Sequence, residues 1–323
     1  MSRILLTIFL ATLSFSGFAQ NAAFPTRPVR VVVGFPPGGG ADVVARAVVD
    51  KFNETLGQPG VIENRAGASG NIAADYVVRS PADGHTLYLA TASNGINAAA
   101  AVTGAMKLNY DLQQDLLPVV MLVRNQNVLV ANPKLPVSNL RELIQLARSE
   151  PGKLNFGVMT AASQLAGELF RQMAKVDILD IPYKGAAPVM TDLLGGQVEL
   201  AILDVAVVLP QLRAGTLKAL AVTSTKRFEG LPDVPTFAEA GVPGYEASGW
   251  LGLMAPAETP PAVISRLREA ATKALAYPDV AARLAQLGVT PAAGSSEEFA
   301  EFLRADVNKW TTVLRAGNIK LGG

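Results

Sequence analysis

Beyond Phe24, short apolar runs alternate with amphipathic segments, and this alternation constrains the fold more than any other feature of the chain. Arg30 to Gly34, Thr86 to Ala90, Val128 to Ala131, Leu154 to Val158, Leu200 to Leu203 and Leu217 to Val222 are four to six residues long. Several are apolar throughout, as in strands covered on both faces. Between them, Leu140, Leu143, Ile144 and Ala147 recur at helical spacing, as do Val263, Ile264, Leu267, Ala270, Ala271, Ala274 and Leu275. Ser295 followed by Glu298 reads as a capping box opening a helix with Phe299, Phe302, Leu303, Trp310, Val313 and Leu314 on one face. Alternating strands and helices predict an α/β fold with largely parallel sheets. No repeat or low-complexity linker interrupts it. Proline clusters at Leu231 to Pro235 and Val242 to Gly244 mark a crossing between two lobes. The strand-like stretch Tyr245 to Met254 then leads back to complete the first lobe.

Composition narrows the chemistry. Among 323 residues there are 28 Lys and Arg, 27 Asp and Glu, one His and no Cys. A balanced charge lacks the cationic surplus of a nucleic-acid binder. Without cysteine there are no thiolate nucleophiles, disulfides or Cys-ligated metals. The lone His85 sits in the turn Asp83-Gly84-His85-Thr86, where a surface imidazole is expected, and no Gly-x-Ser-x-Gly accompanies it. No catalytic residue, metal site or cofactor is assigned. At the N-terminus, Arg3, an apolar run from Ile4 to Leu13 and small residues at Gly17 and Ala19 make residues 1–19 a signal peptide cut after Ala19. No later segment is long enough to span a bilayer. The mature chain is therefore expected to be periplasmic, with no membrane insertion.

The loops carry the functional signal. Val31 to Val33 run into Gly34-Phe35-Pro36-Pro37-Gly38-Gly39-Gly40-Ala41-Asp42, a proline and glycine turn before an amphipathic helix. Glycines at a helix start leave backbone N–H groups and the positive end of the helix dipole free to hold an anion. The spacing is neither a dinucleotide fingerprint nor a P-loop. Glu63-Asn64-Arg65-Ala66-Gly67-Ala68-Ser69-Gly70-Asn71 repeats the idea, with Asn64 and Arg65 expected to brace the loop. Loops of this kind after parallel strands share one sheet edge, where α/β proteins bind ligands. Gly157 to Ser163 and Ile181 to Ala187 supply comparable passages from the second lobe, and Asp204 closes another apolar strand. Tyr183 is expected to pack and Lys184 to be solvated.

Taken together, these segments resemble the substrate-binding proteins of tripartite tricarboxylate transporters, the Bug family. The resemblance runs from about Phe24 to Gly317 and is carried by Gly34 to Gly39 with Asp42, Glu63-Asn64-Arg65 with Gly67 and Gly70 to Ile72, Asp83-Gly84, and Tyr110-Asp111. It continues through Pro182 to Gly185, Asp192 to Val198, Ala219 to Thr223, Pro232 to Thr236, Glu239 to Gly241 and Trp250 to Leu253. It implies a two-lobed periplasmic binding protein of type II character, each lobe a mostly parallel sheet flanked by helices and joined by crossing strands. Lobe 1 would comprise residues 24–124 and 246–323, and lobe 2 residues 125–245. Matching motifs place ligand contacts at Phe35, Pro36, Gly38, Gly39, Asp42, Ala68, Ser69 and Gly70 in lobe 1. In lobe 2 they fall at Thr160, Ala161, Gly185, Ala186 and Asp204. The implied function is capture of a small organic carboxylate for membrane transporter subunits by a monomer that performs no chemistry. Presentation of the loaded form to a sensor kinase is the alternative, and a cleft enzyme acting on a carboxylate derivative the more remote one. One departure bears on specificity: Gly157 to Gln164 is about two residues shorter than the family pattern, carries Met159 and ends in Gln164. Met159 is expected to favour an apolar or aromatic ligand body over citrate.

Overall fold

A computed structural model describes residues 24–183, 185–317 and 319. The signal-peptide segment 1–19 and Lys184 lie outside the described residues. The chain runs β1 (Val29–Val33), α1 (Gly40–Val49), α2 (Phe52–Leu56), β2 (Gly60–Asn64), α3 (Asn71–Val78), β3 (Thr86–Thr91), α4 (Ala92–Val102) and β4 (Leu116–Asn125). It continues with β5 (Asn127–Ala131), α5 (Leu140–Ser149), β6 (Asn155–Val158), α6 (Ala161–Ala174), β7 (Leu179–Pro182), α7 (Ala186–Gly195), β8 (Leu200–Asp204), α8 (Val205–Arg213) and β9 (Lys218–Val222). Last come β10 (Gly249–Pro256), α9 (Pro261–Leu275), α10 (Pro278–Gln286), β11 (Val289–Pro291) and α11 (Ser296–Gly317).

The strands form two sheets, one per lobe. The first has the order β11-β4-β10-β3-β1-β2 and the second β7-β6-β8-β5-β9. Each is mixed rather than mostly parallel, which corrects the sequence expectation. β1 runs parallel to β2 and β3, and β6 parallel to β7 and β8, whereas β10, β4, β11, β5 and β9 pair antiparallel. The reason is the crossing itself. β4 leaves the first sheet at Asn125 and β5 enters the second at Asn127, while β10 comes back in the opposite direction with Gly249 opposite Asn125. A chain that leaves one sheet and returns beside its exit strand makes an antiparallel pair there.

The apolar periodicities become buried faces. α5 buries Leu140, Leu143, Ile144 and Ala147, and its Asn139 cap accepts a 3.0 Å hydrogen bond from the Glu142 N–H. At α11 the anticipated capping box is present: Glu298 N–H donates to Ser295 Oγ at 3.1 Å, and Ser295 N–H to a Glu298 carboxylate oxygen at 2.7 Å. Its Phe299, Leu303, Val307, Trp310, Val313 and Leu314 are buried against α4, β4 and α6. Each such side chain contributes about 1.5–3 kcal/mol on leaving water. Because α4 and β4 belong to the first sheet's layer and α6 to the second's, one apolar core is continuous across the lobes, joining Ile96 and Trp310 to Ala166 and Tyr245.

Candidate functional site

The parallel half of each sheet ends its strands toward the other lobe, and five helices begin there. α1 follows β1 through the turn 34–39, and α4 follows β3 with no intervening loop. α6, α7 and α8 follow β6, β7 and β8 after zero to three residues. Their first residues line a single interlobe cleft of about 540 Å³: Gly39 to Ala41, Thr91 to Ser93, Thr160 with Ala162 and Ser163, Gly185 with Ala186, and Asp204. The site thus lies at the carboxyl ends of strands, the usual ligand crevice of α/β sheets.

Two of these helix starts are closed by their own side chains. At α4, Asn94 Oδ1 accepts the Thr91 N–H at 2.9 Å; at α6, Ser163 N–H donates to Thr160 Oγ1 at 3.1 Å. Ser163 Oγ in turn accepts the Met159 and Thr160 N–H groups at 2.9 and 3.0 Å. α1, α7 and α8 make no side-chain cap; the first N–H of α8, on Val205, donates to the Gln126 carbonyl at 2.9 Å, while those of α1 and α7 have no partner among the described residues. Gly185 at α7 holds a φ of 130°, a conformation that side-chain-bearing residues resist.

No described residue lining the cleft is Lys, Arg or His, and among the described lining residues Asp204 is the one ionisable side chain. Positive potential there comes from helix ends, each equivalent to roughly half a unit charge. The walls between them are apolar: Phe35, Ile96, Met159, Ala166, Leu203, Trp250, Leu251 and Trp310. Asp204 opens to the cleft, makes no hydrogen bond or ion pair in the described structure, and is shielded by protein on its other sides. That burial pushes its carboxyl pKa up.

The sequence-derived residues divide between lining and support. Phe35, Pro36, Gly39, Thr160, Gly185, Ala186 and Asp204 line the cleft, as does Met159. Gly38, Asp42, Ala68, Ser69, Gly70 and Ala161 do not. Asp42 is buried and turned back into its own loop. It accepts the Gly38 N–H at 2.9 Å, Arg46 at 2.9 and 3.0 Å and Asn64 Nδ2 at 2.9 Å, while Asn64 Nδ2 also donates to the Phe35 carbonyl at 3.0 Å. Burial would raise the Asp42 pKa, but these hydrogen bonds outweigh it and bring it from 3.8 to about 2. Ala68 to Gly70 stand behind the cleft because β2, the strand that feeds them, is the sheet edge. They act through neighbours: Tyr88 OH donates to the Gly70 carbonyl at 3.1 Å and Asn94 Nδ2 to the Ser69 carbonyl at 3.5 Å. A Cβ on Gly34 would collide with Gly70, so the two loops pack backbone to backbone.

Tyr183 packs, as expected, and donates to Asp192 at 2.8 Å; Arg65 stacks on Tyr76 and pairs with Glu63. His85 departs from its expected surface position. Phe24 lies edge-on against the ring at 4.9 Å and Thr26 N–H donates to its Nε2, leaving the residue 6% exposed and away from the cleft. Sequence reasoning missed Thr91 to Ser93, Asn125, Asn127, Ser248, Trp250 and Trp310. The first group had a usable signal, an apolar strand passing straight into a small-residue helix. The others reach the cleft only because the chain crosses twice and α11 returns.

The family profile of the tripartite tricarboxylate transporter family receptor (TctC) matches residues 44–319. The protein BugT of Bordetella pertussis is 38% identical over 325 residues, covering 99% of both chains. Among solved structures, an R. palustris protein with adipate is 38% identical with a TM-score of 0.77, covering 92% of this chain and 99% of its own. MatC from Rhodopseudomonas palustris with bound malate is 34% identical with a TM-score of 0.75, covering 90% of this chain and 100% of its own. With its two-lobed α/β architecture and this extent of similarity, the chain belongs to the TctC, or Bug, family of tripartite tricarboxylate transporter receptors.

Proposed function

We propose that this protein is a periplasmic receptor that captures a small organic carboxylate between its lobes and delivers it to the membrane subunits of a tripartite tricarboxylate-type transporter. The observation that carries the reading is the meeting of five helix N-termini at one cleft whose described lining holds no cationic side chain. Such a site binds an anion through backbone N–H groups, each hydrogen bond to a charged group worth about 1.5–3 kcal/mol. The adipate and malate in related structures support the ligand class. The segments 24–124 with 246–323 and 125–245 are the lobes that close on the ligand. Phe35, Pro36, Gly39, Thr160, Gly185, Ala186 and Asp204 would touch it, with Gly38, Asp42, Ala68, Ser69, Gly70 and Ala161 holding the contacting loops in place. Met159 and the two tryptophans favour an apolar body between polar ends. The receptor acts as a monomer and performs no reaction.

A thermal-shift screen against mono-, di-, tri- and aromatic carboxylates tests this, since a ligand that binds only the native state raises Tm. At least one carboxylate is expected to do so, and Gly39→Val to weaken it. A complete absence of shifts refutes the reading; tighter calorimetric binding of citrate than of any monocarboxylate refutes the role given to Met159. Uptake lost on deletion of the gene supports delivery to a transporter, and intact uptake with a lost transcriptional response supports a sensor kinase instead.

A further inference from the structure

The cleft lining holds two chemically different sets of groups. One is the small-residue starts of α1, α4, α6 and α7. The other, from the interlobe crossing and the end of β8, carries the side-chain acceptors Asn125, Asn127, Ser248 and Asp204. Asp204 and Asn127 are direct cross-strand partners in the β5–β8 pair, so their side chains leave the sheet on the same face. Asn125 and Ser248, from the two crossing segments, line the cleft beside them. In the described structure the Asp204 carboxylate has no donor, and it does not turn back to cap α8. Asn125 Oδ1 is buried and likewise accepts no hydrogen bond, as is Gln126 Oε1 next to it. Buried acceptors are nearly always satisfied. Of these acceptors Asp204 is the one exposed to the cleft; Asn125 belongs to its lining and Gln126 does not, and the buried Trp310 Nε1–H of the same lining is a donor without a partner among the described residues.

Resting on the carboxylate reading, we propose that Asp204, with Asn125 and Asn127, is a specificity determinant that selects carboxylates carrying a hydrogen-bond donor, a hydroxyl or an ammonium, at the end remote from the carboxylate. The helix N-termini take the anionic group. The remote donor satisfies Asp204 and the Asn127 amide oxygen, with the buried Asn125 amide behind them. A second carboxylate in that position meets a like charge with no cation among the described lining residues, which disfavours binding both in their ionised forms.

The test is calorimetry at neutral pH with straight-chain probes of four to six carbons: ω-hydroxy and ω-amino carboxylates against the dicarboxylates and the unsubstituted monocarboxylates of the same length. The best donor-bearing probe is expected to bind on the order of tenfold or more tighter than its matched dicarboxylate, the range of one hydrogen bond to a charged group. Asp204→Asn is expected to remove the preference for the ammonium probe and to bring the dicarboxylate level or ahead, with the unliganded Tm unchanged or raised. Dicarboxylates binding tightest to the unaltered protein, or an unchanged order in Asp204→Asn, overturns the proposal while leaving the carboxylate reading intact. No binding by any of the probes, together with no hit in the wider carboxylate screen, overturns both.

Discussion

Asp42 shows how one side chain can govern a site it does not touch. Its carboxylate gathers Gly38, Arg46 and Asn64 and so fixes the Phe35 to Gly39 turn that lines the cleft. Folding lowers its pKa from 3.8 to about 2. The ionised form is therefore the stabilising one. Its contribution is complete above about pH 4, amounts to about 2 kcal/mol, and is lost as the pH falls through about 2. Asp42→Ala is expected to lower stability by about this amount in denaturant unfolding at neutral pH and to weaken carboxylate binding, whereas at pH 2 the stability difference narrows. Equal affinity in the variant would remove Asp42 from the site's support. Asp42 and its glycines were legible in the sequence because strand, turn and helix are contiguous there. That the carboxylate faces inward was not legible, since it depends on Asn64, which is distant in the chain.

At the scale of elements, the helix starts carry both stability and chemistry. Ser163 closes the start of α6 by accepting two N–H groups and donating its own N–H to Thr160. Ser163→Ala leaves those donors unpaired and is expected to cost about 1 kcal/mol, with a loss of ligand affinity because the α6 start lines the cleft. A variant that loses stability with unaltered affinity would show that α6 only supports the fold. The Ser295 and Glu298 box was readable because it follows the Ser-x-x-Glu pattern. The boxes at Thr91–Asn94 and Thr160–Ser163 use short side chains that are also ordinary turn residues, so their pattern identifies no helix start by itself.

Across the whole molecule, α11 ties the crossing to the cleft. Asp306 accepts the Trp250 indole N–H at 3.1 Å, and Lys309 pairs with Asp306 at 3.0 Å and with Glu246 at 2.8 Å. Burial raises the Asp306 pKa. Burial alone would lower that of Lys309, but the two carboxylates outweigh it and raise it. Lys309→Met is expected to strand the buried Asp306 and the half-buried Glu246 and cost about 3 kcal/mol, read as a drop in Tm, with a change in Trp250 fluorescence. An unchanged Tm would show that solvent already screens the cluster. With contacts on both lobes, a saturating ligand is expected to favour the closed form. At a hundred times Kd it should add about 2.7 kcal/mol to stability and reduce the radius of gyration in solution scattering. A stabilising ligand that leaves the scattering curve unchanged would place binding on one lobe alone.

By itself, the sequence determined the α/β class, the amphipathic helices, and the glycine and proline turn at Phe35 to Gly40 on which the proposed anion site rests. All of these rest on residues within one or two turns of each other, where spacing alone decides which face is apolar and which N–H groups are left unpaired. Only the tertiary structure decided the mixed sheets, the burial of His85, the retreat of Ala68 to Gly70 behind the edge strand, and the arrival of Trp250, Trp310, Asn125 and Asn127 at the cleft. Those outcomes depend on which strand lies at an edge and where the chain crosses between lobes. They are set by packing the whole apolar surface at once, and no short stretch of sequence encodes that.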